Sequence, residues 1–76
     1  MTDTLADALP REIARVTAKK ERWQAMAAEF PELGWGMQLT IRIMQVEIEQ
    51  AVRACASGDI GQMLASLASL KEYDDD

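Results

Sequence analysis

Chemistry in this chain would have to come from Cys55, from Glu47 and Glu49, or from the serines, because the sequence contains no histidine. Histidine is the commonest general base and the commonest metal ligand, so both roles lack their usual carrier. Cys55 therefore has no imidazole to take its proton, and it falls on an apolar stripe, away from the electropositive setting that activates a thiol. Glu47 and Glu49 stand two residues apart, which on a helix points their carboxylates in divergent directions; only a strand would make them a pair. Ser57, Ser66 and Ser69 have no base partner. The glycines around Trp35 and Asp59 are spaced too closely for a phosphate-cradling loop. Asp74, Asp75 and Asp76 form an acidic run without a preformed cation site. These residues predict a protein that is not an enzyme, with no cofactor, metal or small-molecule substrate.

Two surface features are more suggestive. Arg11, Arg15, Lys19 and Arg22 stand four, four and three apart and share one helical face. Such a face can contact phosphates or an acidic partner. It is also what a solvated helix looks like, or one paired with Glu47 and Glu49 on a neighbour; interleaved Glu12 and Glu21 and the lack of an aromatic platform favour that plainer reading. Trp35, between two glycines, is either a binding anchor or a plug folded over the open end of a helical hairpin, and the plug is favoured. Met26, Met37, Met44 and Met63 are read as gap fillers.

The elements that carry these residues follow from composition and period. Seventy-six residues suffice for a single domain, residues 1–76. Twelve of its apolar residues are alanine, so the core is thin. A lone cysteine fits a reducing compartment, and the acidic N-terminus has no secretory pattern, so a cytoplasmic setting is expected. The net charge of −5 is concentrated at the C-terminal end.

Large side chains at Leu9, Ile13, Val16, Trp23 and Phe30 predict a helix over about residues 7–30, capped by Asp7, with Pro10 in its first turn. Lys20 fills the remaining place in that stripe, its stem packed and its ammonium turned out. Pro31, Gly34 and Gly36 mark a short connection, which implies antiparallel neighbours.

The second segment, about 36–57, has an ambiguous period. Residues 37–49 alternate as a strand would, yet Met37, Ile41, Met44, Ile48, Ala51 and Cys55 keep helical spacing throughout, and the helix is preferred. Leu39, Ile43 and Val46 form a second apolar stripe that something must cover. Gly58 closes this helix and Asp59 caps a third, about 60–73, which presents Ile60, Met63, Leu64, Leu67 and Leu70. Residues 74–76 form a frayed acidic tail.

The predicted fold is all-α, an antiparallel helical hairpin plus a shorter third helix. Assembly as a homodimer is preferred, with Leu39, Ile43, Val46 and Trp35 as the candidate interface. The alternative is a monomer in which the third helix covers the second stripe.

The run Leu9-Pro10-Arg11-Glu12-Ile13-Ala14-Arg15-Val16, the Gly-containing turn, the helix ending Ala56-Ser57-Gly58-Asp59, and then Met63-Leu64-Ala65 and Leu70-Lys71-Glu72-Tyr73 resemble small uncharacterised helical proteins of proteobacterial phages and prophages. That resemblance implies a phage-derived origin and a cytosolic setting, and assigns no functional residue. The function expected is a homodimeric protein-interaction module, its partner a second copy and another protein. The alternative is a nucleic-acid-associated regulator using the basic face. No membrane association is expected.

Overall fold

The computed structural model describes residues 4–73, and all the regular structure among them is helical. Helix α1 spans Leu5–Glu29, a single 3-10 turn spans Pro31–Leu33, α2 spans Gly34–Ser57 and α3 spans Ile60–Lys71. The strand alternative for residues 37–49 is thereby excluded. The predicted acidic tail, 74–76, lies outside the described residues.

Helix α1 starts earlier than its sequence suggests because Thr4, not Asp7, is the cap. The Thr4 hydroxyl accepts from the Asp7 amide at 3.2 Å and donates to Asp7 Oδ2 at 2.9 Å. Asp7 therefore sits in the first turn, where a carboxylate favours the positive end of the helix dipole. The earlier start moves Pro10 from the first turn into the helix interior, where its ring removes the N–H that Ala6 would otherwise receive.

Pro31 ends α1: Phe30 leaves helical geometry at φ −125°, ψ 78°, while its amide still bonds the Met26 carbonyl at 2.9 Å. Gly34, at φ 65°, then turns the chain directly into α2. At the other end of α2 the Gly58 amide bonds the Ala54 carbonyl at 3.0 Å with φ at 71°, the left-handed closure expected of glycine. Asp59 caps α3 by accepting from the Gln62 amide at 3.1 Å.

Leu9, Val16, Met44, Ile48, Ala51, Ala54, Met63 and Leu70 form the core, joined at its margin by Leu5, Ile13, Trp23, Cys55, Leu67 and Tyr73. It is thin. The molecule measures 43 × 24 × 16 Å with a radius of gyration of 13.6 Å, against roughly 11 Å for a typical globular chain of this length. Helix α3 is too short to cover the hairpin: its 12 residues extend roughly 18 Å, whereas the 25 of α1 extend roughly 37 Å. Half of the hairpin is therefore two helices alone.

Three expected core positions are exposed instead. Phe30, at the uncovered end, is 45% exposed. Ile60 and Leu64 lie on a flank of α3 that the hairpin does not reach, and both are more than half exposed. The inward lysine is Lys19, only 6% exposed; Lys20 is half-buried. The Lys19 ammonium lies 5.7 Å from the centroid of the Trp23 ring, within cation–π range. Helix α3 is tied to the Arg15 side of α1, the side on which Lys19 lies one turn further on.

Candidate functional site

Leu39, Ile43 and Val46 project from the side of α2 that faces away from the core. Leu39 and Ile48 are nine positions apart, half a revolution at 100° per residue, and Ile48 is buried in the core. Leu39, Ile43 and Val46 are each 46% exposed. Helix α3 does not cover them. Its C-terminal end is fixed on another side of the hairpin, where Arg15 of α1 donates to the Leu70 carbonyl at 2.9 Å and the Tyr73 hydroxyl donates to Glu47 at 3.1 Å. Helix α3 thus leaves the second stripe uncovered.

Trp35 belongs to the same exposed face and is 76% exposed. The plug expected at the hairpin tip is absent for a local reason: α2 begins at Gly34, so Trp35 is already in its first turn and points along the outer stripe, ahead of Leu39. Arg42, Glu47 and Gln50 border a shallow depression floored by Leu39, Ile43 and Val46. The surface is an apolar strip with charged margins, not a pocket.

The basic set on α1 is dispersed by the packing. Arg15 is half-buried; its guanidinium pairs with Glu12 and donates to the main-chain carbonyls of Leu70 and Tyr73 at the end of α3. Lys19 is buried against Trp23. Arg11 and Arg22 are exposed. Glu47 and Glu49 do not pair with this set: Glu47 accepts from Tyr73, and Glu49 accepts from Gln45 at 2.8 Å. Met44 and Met63 fill the core as expected, Met37 is half-buried, and Met26 is exposed.

Sequence reasoning missed the linkage of Arg15, Tyr73 and Glu47. Its members are 26 to 58 residues apart, and no local pattern brings them together. Burial, followed by the charge of Glu47 and the hydrogen bond to it, pushes the Tyr73 phenol up to about 12. Cys55 is half-buried against the core. Among the described residues no cluster of acidic, cysteine or histidine side chains is arranged to hold a metal ion, and no helix is long and apolar enough to cross a membrane.

Compared with protein-family models, curated proteins and solved structures, the chain matches none.

Proposed function

We propose that this chain is a non-enzymatic helical interaction module that works by presenting the outer face of α2 to another protein surface. It assembles as a homodimer in the cytoplasm and serves a phage or prophage programme. The observation that carries this reading is the position of Trp35, Leu39, Ile43 and Val46, four large apolar side chains uncovered on the side of α2 opposite the core. A contiguous exposed apolar strip with a polar rim is the usual mark of a protein contact.

The strip also sets the scale of the affinity. Covering the exposed half of Leu39, Ile43 and Val46 contributes on the order of 1 kcal/mol for each side chain. Two copies double that sum, and Trp35 adds to it. Association itself costs roughly 4–15 kcal/mol. A dimer held by this strip is therefore of moderate affinity, with a mass that depends on concentration.

Light scattering behind a sizing column, run from micromolar to near-millimolar protein, tests the assembly. Dimer mass that Ile43→Asp or Val46→Asp removes, with helical circular dichroism retained, supports it. Monomer mass at every concentration overturns it.

A further inference from the structure

The charged residues that share the outer strip of α2 decide how two copies can meet there. Arg42 lies four residues before Val46 and Glu49 three after it, and at 100° per residue both fall on the same margin of the strip. Both are exposed. Arg53 continues the strip one heptad beyond Val46, and Trp35 begins it at the other end of α2.

In a parallel pairing about a twofold axis each margin of the strip meets the opposite margin of the partner, and only residues on its centre line face their own copies. Arg42 and Glu49, on one margin, would lie across the width of the contact from the partner's Glu49 and the partner's Arg42 and form no pair, while Arg53, near the line of Val46, would face its own copy. An antiparallel pairing about a twofold axis is different, because the rotation that reverses the helix keeps each margin against the same margin of the partner, and residue i meets residue j while j meets i. With the axis close to Val46, Arg42 of each copy lies across from the partner's Glu49, twice over. Val46 and Ile43 then pack against their counterparts at the centre. Trp35 extends toward the partner's Arg53, an aromatic face beside a guanidinium.

We infer that the occupant of this strip is a second copy of the chain, lying antiparallel across α2 with the twofold axis near Val46 and with Arg42 and Glu49 as its reciprocal charge pair. The inference rests on the proposed dimer and adds its direction and register. Charge complementarity selects the antiparallel arrangement, since only there does Arg42 of each copy lie against the partner's Glu49. Glu47 takes no part, its carboxylate being held by Tyr73 on the side toward α3.

Charge exchange and distance measurement on the full chain test this. Arg42→Glu and Glu49→Arg alone each weaken the dimer by about tenfold or more, since each creates two like-charge contacts. The double variant R42E/E49R restores affinity to within about threefold of the original by the same symmetry. Restoration cannot come from refolding, because both side chains are solvent-exposed.

Spin labels in a Cys55→Ala background, placed at exposed Gln38 or exposed Ala56, read the direction. Antiparallel helices crossing near Val46 put paired labels at 56 roughly 30–35 Å apart along the axis and those at 38 roughly 20–25 Å apart, at 1.5 Å per residue. Equal short distances at both sites overturn the antiparallel arrangement while leaving the dimer intact. A dimer whose affinity ignores the charge exchange overturns the strip as its contact. Monomer mass for the unmodified chain overturns the dimer and this inference together.

Discussion

The Tyr73 hydroxyl donates to Glu47 Oε1 at 3.1 Å, which ties the residue after α3 to the middle of α2. The same residue's carbonyl accepts from Arg15 of α1, so one position touches both arms of the hairpin. The phenol is pushed up to about 12 from 10.0, by burial first and then by Glu47. A raised phenol means that folding favours the neutral form. Its contribution to stability is complete below pH 10 and is lost as pH rises from 10 through 12. Tyr73 is the single tyrosine of the chain, so its absorbance at 295 nm reports the titration directly. The midpoint is expected well above 10 in the folded protein and near 10 in concentrated urea. A folded midpoint near 10 would show that the contact with Glu47 does not form.

Arg15 is expected to be the costliest exposed-looking cation to remove. Its guanidinium bridges Glu12 and the carbonyls of Leu70 and Tyr73, and charged hydrogen bonds of that kind contribute about 1.5–3 kcal/mol. Arg15→Ala should lower the unfolding free energy measured in urea by an amount in that range. Arg15→Lys should recover less than half of it, because an ammonium does not span two carbonyls and a carboxylate as a planar fork does. Hydrogen exchange should locate the loss in the last turn of α3. Equal stability of the Arg15→Ala protein and the unmodified one would remove the bridge as a structural element.

Much of the fold was legible because its punctuation is local. Pro31, Gly58 and Asp59 each act on the residues beside them, and the structure ends or begins a helix at each. Local rules failed where a distant element decides. A stripe of alternating fours and threes assigns the inward place to Lys20, but an α-helix turns by 3.6 residues, and α3 lies on the Arg15 side, so Lys19 is the one covered. The outer strip Leu39, Ile43 and Val46 was visible as surplus apolar surface. What covers it depends on where α3 is anchored, and that anchor joins Arg15 to Tyr73 across 58 residues. Trp35 does not plug the hairpin tip for a related reason: α2 begins at Gly34, which places Trp35 in the first turn of that helix, 76% exposed.

Gly36 and Gly58 should respond to alanine with opposite signs. At Gly58 the backbone is at φ 71°, and a Cβ would meet nothing within 4 Å, so the cost of Gly58→Ala is conformational alone, about 1–2 kcal/mol. Gly36 is helical and its Cβ position is equally open, so Gly36→Ala should stabilise by about 0.4–1 kcal/mol through the unfolded chain. Urea denaturation of the two variants beside the unmodified protein measures both. Loss of stability at Gly36 would mean that its lack of a side chain serves a contact on the α2 surface.

Lys19 separates the structural role of the α1 cations from a nucleic-acid role. The side chain is buried and its ammonium lies 5.7 Å from the Trp23 ring centroid, a contact between helix neighbours that contributes about 0.5–1 kcal/mol. Methionine has nearly the same length and no charge to desolvate, so Lys19→Met should remain within about 1 kcal/mol of the unmodified protein. Lys19→Glu places a carboxylate at a buried position beside the electron-rich face of Trp23. It should cost about 2 kcal/mol or more. Exposed Arg22 has no such packing, so Arg22→Glu should leave the unfolding free energy within about 0.5 kcal/mol of the unmodified protein. Duplex binding supplies the contrasting readout. If the basic set contacts phosphates, Lys19→Met and Arg22→Glu both weaken a salt-dependent affinity while folding is preserved. If Lys19 serves packing, Lys19→Met changes neither, and only the buried carboxylate of Lys19→Glu unsettles the fold.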